Sequence, residues 1–147
     1  MKTSLTTLIL VSLTTLTVVA ATEEKIHETR AAKPGGKLVV DVDFGTITVA
    51  PGDSDKVVVD AYRKVGASSK EKEQEYLAAA ALTVATEGDT VVVRARRKNN
   101  SLGSQLWNLL SHTSTEGRYT IQVPATFNAD LQTAGGDVSA KNLIGTV

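Results

Sequence analysis

Alternation of apolar and polar residues dominates the chain from residue 37 onward. Leu38, Val40 and Val42, for example, fall on one face of an extended chain, and the residues between them fall on the other. Such period-two alternation is typical of a half-buried β-strand. Turn residues such as Pro51-Gly52-Asp53 separate the alternating stretches. The pattern predicts strands at residues 37–43, 46–49, 56–62, 82–85, 90–96, 118–123, 129–133 and 137–140.

One stretch breaks this alternation and predicts a helix. Residues 69–81 contain no Gly, no Pro and no β-branched residue, a composition that favours helix. Ser68 and Glu71 have the spacing of a capping box, so we expect the helix to begin after Ser68. The predicted fold class is therefore all-β, mainly antiparallel or with solenoid-like stacked strand repeats, interrupted by one α-helix.

The end of the chain carries a short repeat. Two alternating strands flank Gly135-Gly136, and Gly145-Thr146-Val147 resembles the start of another unit, as Gly45-Thr46-Ile47 does earlier. Such a unit cannot bury its own apolar face, so it must stack on neighbours. Because the pattern stops inside a unit, we expect either a fragment or truncated reading frame, or a short domain whose last strand is an open edge.

Residues 1–21 have the pattern of a secretory signal peptide. Lys2 supplies a positive charge, an apolar run diluted by Ser and Thr follows, and Val19-Ala20-Ala21 offers a cleavage site. The run is short for crossing a bilayer, although an uncleaved anchor is the alternative. We expect an exported protein (periplasm, cell surface or extracellular) with no membrane span in the mature chain. Residues 22–36 are predicted as a polar leader or a short edge strand, and residues 37–147 as the strand-repeat domain.

Composition and motifs narrow the chemistry. The net charge is zero, which argues against a nucleic-acid binder, and the absence of Cys excludes a thiolate zinc site. His27 and His112 lie in unrelated segments and are predicted to be solvated loop residues. Two Asp-x-Asp pairs, at residues 41–43 and 53–55, lack the further ligands that calcium requires. No serine lies in a Gly-x-Ser-x-Gly motif, and no carboxylate cluster favours a glycoside hydrolase. We therefore predict no enzymatic activity, no cofactor and no metal site.

Two groups of side chains are candidates for contact with a partner. Arg94 and Arg96 share one strand face, where they could meet anionic lipid, polyanionic cell-wall polymer or nucleic acid, or instead pair with acidic residues of a neighbouring strand. The second group could dock on a partner, sit at a membrane surface or close an open end of the sheet stack. It comprises Leu106, Trp107, Leu109 and Leu110.

The ordered series of motifs resembles a known family. It comprises DVDFGTITVAPGDSDKVVVDA, the helix followed by LTVATEGDTVVVRARR, and GRYTIQVPATFNADLQTAGGDVSAKNLIG. Over roughly residues 25–147 this series is similar to the bacterial putative-adhesin family of β-strand-repeat domains, also called toastrack domains. The resemblance implies an exported module for envelope or surface interaction or adhesion, with cell-surface polymer or another envelope protein as partner. An extracytoplasmic sensory or regulatory domain for envelope stress is the alternative that it permits.

Overall fold

The structure, a computed structural model, describes residues 20–97 and 113–147. The strands and the one helix of these two ranges are numbered in the order in which they follow along the chain. They are β1 (Thr22–Ala31), β2 (Lys37–Val42), β3 (Thr46–Pro51), β4 (Lys56–Gly66), α1 (Lys70–Ala79), β5 (Thr83–Glu87), β6 (Thr90–Ala95), β7 (Ser114–Val123), β8 (Asn128–Thr133) and β9 (Val138–Ala140).

The strands form two mixed sheets. The first sheet has the order β1-β4-β7-β3-β9 and the second has the order β5-β6-β2-β8. Strand β2 runs parallel to β6 and β8, and β3 runs parallel to β7 and β9, whereas the β1–β4, β4–β7 and β5–β6 pairs are antiparallel. The predicted β-rich fold with one helix is confirmed. The sheets are mixed, because β2–β3 and β8–β9 each pass from one sheet to the other instead of turning back, which makes their pairing parallel. Solenoid-like stacking stays a prediction.

The units β2–β3 and β8–β9 are neighbours in both sheets. Leu38 lies opposite Ala129 in the second sheet, and Ile47 lies opposite Val138 in the first sheet. The sequence separation is the same in both pairs, so each unit superposes on the next as a whole. Residues that alternate in sequence therefore continue the same inward or outward face from one unit to the next.

One apolar core joins the inward faces of the two sheets. Val dominates this core, and its branched side chain suits the pleated surface of a strand. Tyr119 and Phe127 are its large aromatic members. The alternation that predicted the strands is the alternation of their burial. The fully buried aliphatic members are Leu38, Val40, Val42, Ile47, Val49, Val57, Val59, Val93, Ile121 and Val123.

The N-cap of the helix lies one residue after the predicted position. Ser69, with an extended backbone, is the N-cap, and its hydroxyl accepts a hydrogen bond from the backbone N–H of Lys72 at 3.4 Å. The neighbouring Ser68 accepts from the Lys72 ammonium at 3.0 Å instead. The capping box predicted at Ser68 is therefore wrong, because two adjacent serines offered the same chemistry and the backbone selected the second.

Helix α1 packs against β4 and β1. Its buried Glu73 accepts hydrogen bonds from the Thr22 hydroxyl at 2.5 Å and from the Ala67 N–H at 3.0 Å. A small apolar cluster between the helix and the sheets contains Phe44, Val65, Tyr76 and Leu77.

Among the residues that the structure describes, no helix has the length and apolar character to cross a membrane.

Candidate interaction surface

The outer edges of β8 and β9 lie together at one end of the two sheets, which we call the open end. In the described part of the chain, no further strand pairs with either edge. A free strand edge presents backbone N–H and C=O groups that can pair with another extended segment. Among the described residues, β8 and β9 are therefore the edge strands of the two sheets at this end.

Apolar side chains are exposed at the open end. Val138, Ile144 and Val147 are 45%, 70% and 67% exposed, and they are the exposed large hydrophobic residues among those described. Val138 lies opposite the fully buried Ile47, so it continues the inward face of the first sheet beyond its last covered position. Concentrated apolar exposure of this kind marks contact surfaces.

A groove of about 600 Å³ runs along the open end. Leu131, Val138 and Val147 contribute its apolar surface. At its rim, the Lys37 ammonium lies 3.7 Å from a carboxylate oxygen of Asp130, an ion pair that crosses from β2 to β8. The groove therefore combines an apolar floor with a polar margin, as specific contact sites do.

The last residues of the chain lie beside the start of β8. The Ala129 N–H donates to the Thr146 carbonyl at 2.9 Å, and the Thr146 N–H donates to Asn128 Oδ1 at 2.9 Å. The outer edge of β8 is therefore partly covered by the last residues of the chain.

The basic residues predicted as contacts lie on the outer face of the second sheet. Arg96 Nε is 2.7 Å from Asp41 Oδ1 and 3.9 Å from Asp43 Oδ1. Arg94 is exposed and lies opposite Asp41 on the neighbouring strand. Arg96 is thus engaged by acidic neighbours, the alternative that the sequence left open, and a contact role for either arginine stays a prediction. The predicted contacts Leu106, Trp107, Leu109 and Leu110 lie outside the described residues.

A second groove, of about 320 Å³, crosses the outer face of the first sheet and is called here the Tyr62 groove. His27 lies in it on β1, not in a loop as predicted, and its Nδ1 is 2.5 Å from Asp60 Oδ1. Partial burial, together with the nearby Glu23 carboxylate, raises the pKa of Tyr62. The sequence missed this groove because its residues come from three strands that are distant along the chain. They are Lys25, Ile26, His27, Asp60, Ala61, Tyr62, Arg118 and Thr120.

Comparisons with known proteins give two structural neighbours. No protein-family model matches the chain, and no curated protein matches it. A "putative cell adhesion protein" from Clostridium sporogenes is 11% identical with a TM-score of 0.37, and the match covers 80% of this chain and 51% of that one. A "putative adhesin" from Bacteroides fragilis is 13% identical with a TM-score of 0.34, and the match covers 81% and 44%. The chain thus spans about half the length of these two proteins.

Proposed function

We propose that the protein is an exported, non-enzymatic interaction module of the cell envelope or cell surface, with an adhesive role. The open end is the observation that carries this proposal. It combines the free outer edge of β9 with the exposed side chains of Val138, Ile144 and Val147. The occupant that we propose is a β-strand from another envelope protein, added to the free edge of β9.

Strand addition fits this end for two reasons. Backbone hydrogen bonds supply affinity that does not depend on sequence, and the bond from the Ala129 N–H to the Thr146 carbonyl is one such contact at this end. The apolar groove beside Leu131 and Val138 supplies pockets for alternate side chains of the incoming strand. Burial of exposed apolar surface then contributes about 25 cal/mol per Å².

Export is supported by the position of the first strand. Strand β1 begins at Thr22, directly after the predicted cleavage position, and it pairs along its whole length with β4. Removal of residues 1–21 would therefore leave every described strand and the helix intact. A cleavable signal peptide and this domain are compatible on one chain.

Binding to isolated bacterial envelopes tests the proposal. We expect the purified protein to co-sediment with envelopes, and a Val138→Lys/Ile144→Lys variant to bind about tenfold more weakly. The matched control, Thr29→Lys/Thr115→Lys, adds the same charge at exposed strand positions away from the open end. Unchanged binding of the first variant, or equal loss in both, would overturn the open end as the contact. Recovery of the protein in the cytoplasmic fraction of its host would contradict export.

A further inference from the structure

We infer that the Tyr62 groove is a second site, distinct from the open end, and that it binds a carboxylated saccharide. The groove lies on the outer face of the first sheet, away from the edges of β8 and β9. Its volume of about 320 Å³ falls at the lower end of the range for small-ligand sites. A single sugar unit of a longer polymer is a ligand of that scale.

The centre of the groove is a row of three side chains on adjacent strands. Lys25 on β1 lies opposite Tyr62 on β4, and Tyr62 lies opposite Arg118 on β7. Neighbouring strands are about 4.8 Å apart, so the two cationic residues are anchored about 10 Å apart with the tyrosine ring between them. A carboxylate placed over this row is within reach of a flexible cation from either side.

The two cationic side chains of this row are free to bind a ligand, as far as the described residues are concerned. Lys25 and Arg118 are both exposed, and neither has an ion pair or a side-chain hydrogen bond there. Other cations of the same strands differ, since Lys64 lies 3.9 Å from Glu23 and Lys56 lies 2.9 Å from Asp53. Lys25 and Arg118 therefore keep their charge available for a ligand, and a charge-assisted hydrogen bond is stronger than a neutral one.

The adjacent row supplies groups that suit sugar hydroxyls. His27 and Asp60 form a hydrogen-bonded pair there, and the exposed Thr120 lies opposite Asp60 on β7. Tyr62 offers an apolar ring with a polar end, which matches the C–H face of a sugar. Asp60 lies between His27 and Thr120 in this row. This row therefore offers hydrogen-bonding partners to the hydroxyls of a bound sugar.

The acidic side chains around the row select against densely charged polymers. Asp60 and Glu23 lie on either side of the Tyr62 row, and Glu116 lies opposite Lys64 on β7. A polymer with a phosphate at every unit would place negative charge against these carboxylates. A saccharide chain with one carboxylate per sugar can direct that charge to Lys25 and Arg118 and direct its hydroxyls elsewhere.

Calorimetric titration of the protein with polygalacturonate tests the site. We expect binding that weakens with added salt, and no binding of neutral dextran. Lys25→Gln/Arg118→Gln should weaken binding about tenfold, whereas Lys33→Gln/Lys141→Gln, which removes the same charge from exposed positions elsewhere, should change it less than about twofold. Tyr62→Ala should weaken binding and Tyr62→Phe should retain it. Thermal unfolding of each variant verifies that it folds.

The other outcomes overturn the inference. Equal loss in the two glutamine double variants would indicate a general charge effect. Stronger binding of polyphosphate than of polygalacturonate, lost in Lys25→Gln/Arg118→Gln, would make the ligand a phosphate polymer and not a carboxylated saccharide. Because Val138→Lys/Ile144→Lys should bind polygalacturonate normally, a failure at this groove is distinguishable from a failure at the open end.

Discussion

Arg63 places a positive charge in the interior of the protein. Its side chain has no exposed surface, and Nη1 lies 3.2 Å from a carboxylate oxygen of Glu24. The guanidinium carbon lies 5.8 Å from the centre of the Phe44 ring. Among the described residues, none of its nitrogen atoms has a hydrogen-bond partner of good geometry. Because moving a cation out of water costs several kcal/mol, this single carboxylate offsets the cost only in part.

We therefore expect the volume of Arg63 to matter more for stability than its charge. Arg63→Met should change the free energy of unfolding by about 1 kcal/mol or less, whereas Arg63→Ala should lower it by about 3 kcal/mol, because alanine leaves a cavity. Urea denaturation of both variants measures the difference. Equal destabilisation in Arg63→Met and Arg63→Ala would mean that the charge of Arg63, and not its volume, stabilises this part of the interior.

Tyr119 is a buried residue near Arg63, and the ionisation of its hydroxyl gives a prediction about stability at high pH. Burial raises the pKa of Tyr119 to about 12, although the nearby Arg63 opposes the shift. The unfolded chain ionises this phenol near 10, so its contribution to stability is complete below pH 10 and is lost as the pH rises toward 12. Tyr119→Phe should flatten this alkaline loss in denaturation experiments, and in the wild type the tyrosinate absorbance should develop last at this residue. An unchanged alkaline slope in Tyr119→Phe would contradict the assignment.

At the scale of elements, helix α1 depends on one of two adjacent serines. The Ser69 hydroxyl satisfies a backbone N–H of the first turn, whereas the Ser68 hydroxyl meets only a lysine side chain. Ser69→Ala should therefore lower the free energy of unfolding by about 1 kcal/mol, and Ser68→Ala by a few tenths at most. Chemical denaturation of the pair measures this. A larger loss of stability in Ser68→Ala than in Ser69→Ala would mean that Ser68 is the N-cap, as the sequence predicted.

The same helix is fastened to the sheet by Glu73, which predicts acid sensitivity. Hydrogen bonds from the Thr22 hydroxyl and the Ala67 N–H lower the pKa of this carboxyl from its ordinary 4.5. Its contribution to stability is therefore present above that value and is lost as the pH falls through the lowered pKa. Glu73→Gln should be less stable at neutral pH and should lose less stability on acidification. Glu75→Gln, exposed on the same helix, is the control that should behave as the wild type.

Sequence patterns located the central strands well, and the reason is physical. Strands β2, β3 and β4 bury every second residue, so their alternation is visible in the sequence. Strand β1 is an edge strand in which Ile26 is the central apolar residue among charged ones, and the sequence left a leader or a strand open there. Pairing register is set by the whole sheet, so neither the row of Lys25, Tyr62 and Arg118 nor the His27–Asp60 pair could be predicted.

At the scale of the whole molecule, three glycines, Gly117, Gly45 and Gly136, stack on one another near the points where the chain passes between the sheets. Gly45 adopts φ +112° and Gly136 adopts φ +135°, both in the region that favours glycine. The Gly45 N–H donates to the Gly135 carbonyl at 2.7 Å. A Cβ built on Gly117 would lie 3.0 Å from the Cα of Gly45, so the backbones approach as closely as the absence of side chains allows.

This glycine stack sets the spacing of successive units, so a side chain there should disturb the whole stack. In Gly45→Ala the new Cβ would lie 2.8 Å from the backbone of Gly117, in addition to the strain of a positive φ. We expect the free energy of unfolding to fall by more than about 3 kcal/mol, since such strain alone costs on the order of 1–3 kcal/mol. Gly88→Ala is the matched control, because Gly88 has φ +62° with open space around its Cβ position. It isolates the backbone strain and should cost about 1 kcal/mol. If denaturation gave the two variants equal stability, the glycine stack would not set the approach of the units, and hydrogen bonding between the parallel strands would have to carry that role.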